Sequence, residues 1–197
     1  MRYEKNHKEI KLTFHISNKS RSVTVGVFII VAYSMLTYDI SKNVVLGFTA
    51  DIISGLAVIG IALLMCPLFM PVSKKINYFY IACKVIEGLL MIVGGFSILY
   101  SFVGNFRSII YENFHIYFFI VGALFFYILL LKSQIIPKFI SIWGIISTIL
   151  LFAITISKLF IIVPSILNIL LAPMILNEIF LAFWLIFKGF KIKNHNE

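Results

Sequence analysis

Four ionisable side chains interrupt runs of otherwise apolar residues: Asp51, Lys84, Glu87 and Glu178. Hydrocarbon does not solvate charge. On insertion scales such a group costs about 2.5–3.5 kcal/mol at the centre of a membrane helix. The four are therefore expected to face inward and to meet one another or water. Lys84 and Glu87 are three residues apart, so they share a helical face and can pair. Gly88 and Gly95 continue that face with small residues. Carboxylates in such a setting can hold a polar solute or cation, relay a proton, or act as a general acid or base. A structural role fits the same pattern, with Lys84 bridging Glu87 and Glu178 and locking two helices together. A third arrangement has Lys84 extending to the interface and leaving Glu87 behind.

Three further residues accompany these. Pro173 lies five positions before Glu178, where it is expected to remove a helical hydrogen bond and kink the last helix. Broken helices beside acidic groups occur at transport sites. Asn177 adjoins Glu178. His115 opens a span and reads as a hydrogen-bonded interface residue rather than a metal ligand. The chain has no HExxH, G-x-S-x-G or P-loop pattern and no His/Cys cluster. Standard hydrolase, nucleotide and zinc chemistry thus lack support, no cofactor or metal is expected, and a non-enzyme is favoured over an enzyme. Cys66 and Cys83 fall in apolar runs and read as small core residues.

The elements that must position these groups follow from composition. Of 197 residues, 61% are hydrophobic and only 13% charged, about half the charge of a soluble protein. Mean hydropathy is +1.03. The apolar runs lack the alternation of an outer-membrane barrel, so helices are left to satisfy the backbone in lipid. The fold class is all-α, a polytopic transmembrane bundle. Six spans are expected, at about 22–38, 44–70, 77–102, 114–131, 139–159 and 165–187. Together they form one membrane domain over 22–190. A basic tail, 1–21, precedes it and a short tail, 191–197, follows. No A-x-A-like cleavage site follows the first apolar run, so a cleaved signal peptide is not expected. Residues Gly104 to Asn113, with Arg107 and Glu112, read as a polar loop.

The net charge of +9 is explained by position. Thirteen of the seventeen Lys and Arg fall in residues 1–21, residues 188–197 and the Lys74/Lys75 and Lys132/Lys138 loops. The positive-inside rule then places both termini in the cytoplasm. No basic recognition helix is present, so nucleic acid is not an expected partner; the lipid bilayer is. In the second span Gly47, Asp51 and Gly55 recur every four residues, so small residues flank the Asp51 carboxyl and admit a neighbouring helix. At 1.5 Å per residue Lys84 lies ~10 Å deep from the cytoplasmic side and Glu87 ~15 Å. Glu178 lies ~20 Å from the outer surface, and Asp51 ~10 Å from it. One cluster is expected, Glu87–Lys84–Glu178, with Asp51 extending it outward.

The order of these features resembles the bacterial membrane proteins grouped as domain of unknown function family 4386. The matching residues are Gly47-Phe-Thr-Ala-Asp51, Pro71-Val72, Lys84-Val-Ile-Glu87, His115, Ser133 to Pro137 leading to Gly144, and Asn177-Glu178 through Trp184 to Lys188-Gly189. The likeness runs from residue 22 onward, and this chain carries Lys84 where the family pattern has Arg. The resemblance implies a six-helix bundle in the inner membrane and supplies no activity. On function, the favoured expectation is a protein that binds or moves a small solute or proton at Asp51, Lys84, Glu87 and Glu178, its ligand unidentified. A homodimer would supply the second half that a transporter of this size lacks. The alternatives are an intramembrane enzyme acting on a lipid, and a structural or regulatory subunit without site chemistry.

Overall fold

The computed structural model describes residues 17–99, 106–160 and 171–191, and every regular element among them is helical. Helix α1 (Asn18–Ala32) begins where the Ser17 hydroxyl accepts from the Ser20 amide at 3.1 Å, an N-cap. It tightens into a 3₁₀ turn (Tyr33–Leu36) and runs on as short α2 (Thr37–Ser41). Lys42 adopts a left-handed conformation (φ 53°), and Asn43 caps α3 (Val44–Phe69) by accepting from the Leu46 amide at 3.0 Å. Next come α4 (Lys74–Leu99), α5 (Phe106–Ile110) and α6 (Ile116–Ser133), with one turn of π-helix (Tyr111–His115) joining α5 to α6. Helices α7 (Lys138–Phe160) and α8 (Ala172–Phe187) complete the chain. Beyond α8, Gly189 takes φ 72°, and its amide and that of Lys188 both donate to the Trp184 carbonyl, at 3.1 and 2.8 Å. This is the left-handed glycine termination common at helix ends.

The long helices pack as a ring. α1 lies on α3, α3 on α4, α4 on α6, α6 on α7, α7 on α8, and α8 returns to α1. Missing side chains set the two closest approaches. A Cβ on Gly55 would fall 2.5 Å from the Gly88 carbonyl oxygen, and a Cβ on Gly88 2.6 Å from the Gly55 oxygen. Helices α3 and α4 therefore touch backbone to backbone. At the ring's closure, a Cβ on Gly26 would fall 2.6 Å from the Ala182 oxygen. Small residues allow this where lipid provides no hydrophobic drive between helices. The glycine stripe around Asp51 serves this contact: Asp51 Cβ abuts Gly95 of α4, and Gly47 packs under Tyr38.

The outward faces are apolar. Ile53, Leu56 and Leu63 on α3, Leu89, Val93 and Phe96 on α4, and Ile142, Ile146 and Ile149 on α7 are all exposed. Five helical stretches are long and apolar enough to cross a bilayer: Asn18–Ser41, Val44–Phe69, Lys74–Leu99, Phe106–Ser133 and Lys138–Lys158. The protein is a membrane protein. The sixth expected span is represented by α8, a 16-residue apolar helix, and the start expected near residue 165 lies outside the described residues.

Two expectations need correction. The polar loop expected over Gly104 to Asn113 is helical from Phe106, eight residues before the expected start of the fourth span. Arg107 can enter the membrane domain because carboxylates meet it there. Pro173 produces no mid-helix kink among the described residues. It sits in the first turn of α8, where the amide that proline lacks has no helical acceptor to lose.

Candidate intramembrane cavity

Each candidate side chain is placed by its helix. Lys84 and Glu87, one turn apart on α4, form an ion pair at 2.9 Å, and they are only 8% and 2% exposed. The Lys84 stem crosses α6 at Gly122, whose missing side chain leaves room for it: an added Cβ would lie 3.3 Å from Lys84 Cε. Its ammonium sits 5.1 Å from the centre of the Phe119 ring, a cation–π distance. Glu178, on α8, is held from the adjoining α1 side, where Tyr33 of the 3₁₀ turn donates its phenol to Oε2 at 2.6 Å.

Lys84, Glu87 and Glu178 line one cavity of about 650 Å³. Lys84 pairs with Glu87 and not with Glu178, so the expected three-membered bridge is replaced by two separate contacts facing a shared space. The walls are largely apolar, with Ile29, Val58, Met91 and Met174 among them. Exposed Leu36, Glu112, Asn113 and Lys158 rim one end. The other end is shut by aromatic packing. Tyr80 stacks on Phe126 at 5.6 Å between ring centres, and Phe69 meets both rings edge-on at 5.8 and 6.0 Å. A second void of about 30 Å³ lies between this plug and the Lys84 and Glu178 side chains, walled also by Tyr80 and Tyr127. The hydroxyls of Tyr80 and Tyr127 are buried without a hydrogen-bond partner among the described residues.

His115 was expected at the interface and is instead interior, 5% exposed on the cavity wall. Because its helix starts at Phe106, His115 lies more than two turns inside, and the π turn rotates it inward with Tyr111. Its ring lies 4.8 Å from Tyr111 and 6.3 Å from Phe119, and its Nε2 has no hydrogen-bond partner among the described residues. Asn177 does not reach the cavity. Its amide donates to the Ile140 carbonyl at 3.0 Å, tying α8 to α7.

Asp51 belongs to a different constellation. Arg107 grips it with two hydrogen bonds, Nε to Oδ2 at 2.8 Å and Nη2 to Oδ1 at 3.1 Å. Nη1 donates to both oxygens of Asp39 at 3.2 Å, and Nη2 to the Met35 carbonyl at 2.8 Å. The guanidinium also lies 4.3 Å from the Tyr111 ring centre and 5.2 Å from that of Tyr38. This clamp joins the α1–α2 turn, α3 and α5 at the open end of the ring. Sequence reading missed Arg107 and Tyr33. A signal existed for the first: Asp51, early in its span, needs a cation, and in the expected topology that side holds only Lys42, Arg107 and Lys158. For Tyr33 the signal was fainter, a tyrosine within a span weak in apolar residues.

An all-helical ring with a charged interior defines a polytopic membrane bundle with an internal polar site. The family described as "Domain of unknown function (DUF4386)" matches this chain over residues 32–104 and 101–189, and the chain belongs to it. No curated protein and no solved structure matches.

Proposed function

We propose that this multi-pass protein binds and moves a small solute at the Lys84–Glu87–Glu178 cavity, with six spans and both termini cytoplasmic in a bacterial inner membrane. The observation that carries the reading is the cavity itself. A space of about 650 Å³ with a few converging polar groups has the size and make-up of small-molecule sites. In that topology α1, α5 and α7 place the rim residues Leu36, Glu112 and Lys158 on the outer side. The aromatic plug of Phe69, Tyr80 and Phe126 then closes the cytoplasmic side. This corresponds to an outward-open state, and passage of a solute requires the plug to part. Asp51 contributes through its clamp with Arg107 rather than by contact with the solute.

Complementation of a deletion strain tests this reading. Glu87→Gln, Glu178→Gln and Thr155→Trp, the last placing a large ring in the cavity, are expected to abolish the trait that the deletion removes while the protein still inserts and folds. If all three variants restore the trait, the cavity has no functional role and the ion pair serves packing alone.

A further inference from the structure

The charges around the cavity do not balance. Among the described residues three carboxylates line it, Glu87, Glu112 and Glu178, against two ammonium groups, Lys84 and Lys158. Lys84 is committed to Glu87 at 2.9 Å. Glu178 has a phenol, Tyr33, as its hydrogen-bond partner and forms no ion pair among the described residues. One negative charge is thus left in a largely apolar chamber, where a carboxylate without a counter-ion is strongly disfavoured.

The wall opposite points to what would compensate it. Tyr111, His115 and Phe119 follow one another every four residues, so their rings form a strip along one face. Within that strip the His115 imidazole is 5% exposed and its Nε2 lacks a hydrogen-bond partner among the described residues. A ring nitrogen of this kind can accept a hydrogen bond from an N–H group. Aromatic faces and a carboxylate together select organic cations. A bare metal ion is a poor match, because no group of three or more His, Cys, Asp or Glu among the described residues is placed to hold one. The apolar walls and the volume of about 650 Å³ suit a cation that carries a hydrocarbon body.

We propose that the occupant is an organic ammonium, its charged head between Glu178 and His115 and its apolar body against Ile29, Val58 and Met174. This rests on the solute-binding reading above and names the solute's class. The head is a protonated amine, since the N–H donors match both the carboxylate and the imidazole nitrogen. Lys84 stays on Glu87, which leaves the Glu178 carboxylate to receive the head.

Three probes of one shape and different charge test the class: 1-adamantylammonium, 1-adamantanol and 1-adamantanecarboxylate. Binding of each to the purified full-length protein in lipid nanodiscs is measured by equilibrium dialysis. The ammonium is expected to bind saturably and at least about tenfold more tightly than the alcohol, equivalent to about 1.4 kcal/mol. The carboxylate is expected not to bind. Glu178→Gln should erase the preference for the ammonium over the alcohol. His115→Phe, which keeps an aromatic ring, should weaken the ammonium, with its several N–H donors, more than the alcohol, whose single O–H can stay on Glu178. The proposal is overturned if the alcohol or carboxylate binds as well as the ammonium, if Glu178→Gln leaves ammonium binding intact, or if no probe saturates, as when a proton alone answers the charge of Glu178. None of these results depends on the complementation experiment. Loss of the trait in Thr155→Trp together with preference for the carboxylate would keep the cavity's role and discard the cation.

Discussion

At the scale of single residues, Arg107 carries the most consequence for stability. It is 8% exposed, and it neutralises an Asp51 that has no exposure at all. Removing one member of a buried pair strands the other charge, at a cost of about 3–5 kcal/mol. Arg107→Ala is therefore expected to lower the unfolding temperature in detergent sharply, and Asp51→Asn in the same chain to recover part of the loss. A single variant as stable as the parent would show that the clamp is not needed for the fold. Tyr33→Phe should have a smaller effect, about 1.5–3 kcal/mol for a hydrogen bond to a charged acceptor, read in the same melt. The residues involved were unequally legible in the sequence. Lys84 and Glu87 were paired correctly because a three-residue spacing within one helix fixes their geometry locally. Asp51 was assigned to the wrong partners because helix depth gives only one coordinate. Depth places Asp51 nearer the surface than Glu87, but it says nothing about position around the ring. Arg107 was lost because a basic residue among polar neighbours reads as loop when its carboxylate partners lie 56 and 68 positions away in the chain.

At the scale of elements, the α3–α4 contact is the most tightly specified. The glycine pattern around Asp51 indicated that some helix could approach α3 closely and that α4 carries small residues on one face, without saying that the two meet. It also left open which glycines would face each other, and that pairing is Gly55 with Gly88. Gly55→Ala and Gly88→Ala each drive a methyl into a backbone oxygen, at 2.5 and 2.6 Å. Backbone cannot turn aside, so the helices must separate, and a loss of about 1–3 kcal/mol is expected from overpacking. Gly60→Ala is the control. Its new methyl meets the outer edge of the Phe28 ring, which can rotate, and the melting temperature should change little. Equal losses at all three glycines would contradict backbone contact as the cause. The helical stretch from Phe106 and the place of Pro173 within α8 were the least legible features. Helix propensity and hydropathy do not register that a bidentate carboxylate admits Arg107 into a helix. Nor does Pro173 by itself reveal whether it lies inside a helix or in its first turn.

At the scale of the whole molecule, the ring of helices makes a membrane protein with an interior of its own, and the class was evident from composition alone. The existence of a cavity was not, because hydropathy reports what faces lipid and is silent on how completely a ring fills its centre. The topology can be checked at two exposed positions. Ile40, 82% exposed just after the 3₁₀ turn, lies on the proposed outer side, and Lys75 on the cytoplasmic side. In intact cells a membrane-impermeant maleimide is expected to label Ile40→Cys and to label Lys75→Cys only after the cells are opened. The reverse pattern would invert the bundle.

The central claim, a water-filled chamber open from outside and reaching toward Glu178, is tested most directly by thiol modification at Thr155, which lines the cavity on α7. In a chain with Cys66→Ala and Cys83→Ala, a membrane-impermeant cationic methanethiosulfonate is added from outside. It is expected to modify Thr155→Cys, and to do so more slowly once Glu178→Gln is introduced. The rim position Glu112→Cys confirms that the reagent arrives. A reactive Glu112→Cys beside an inert Thr155→Cys would contradict the account, because it would mean that solutes stop at the rim.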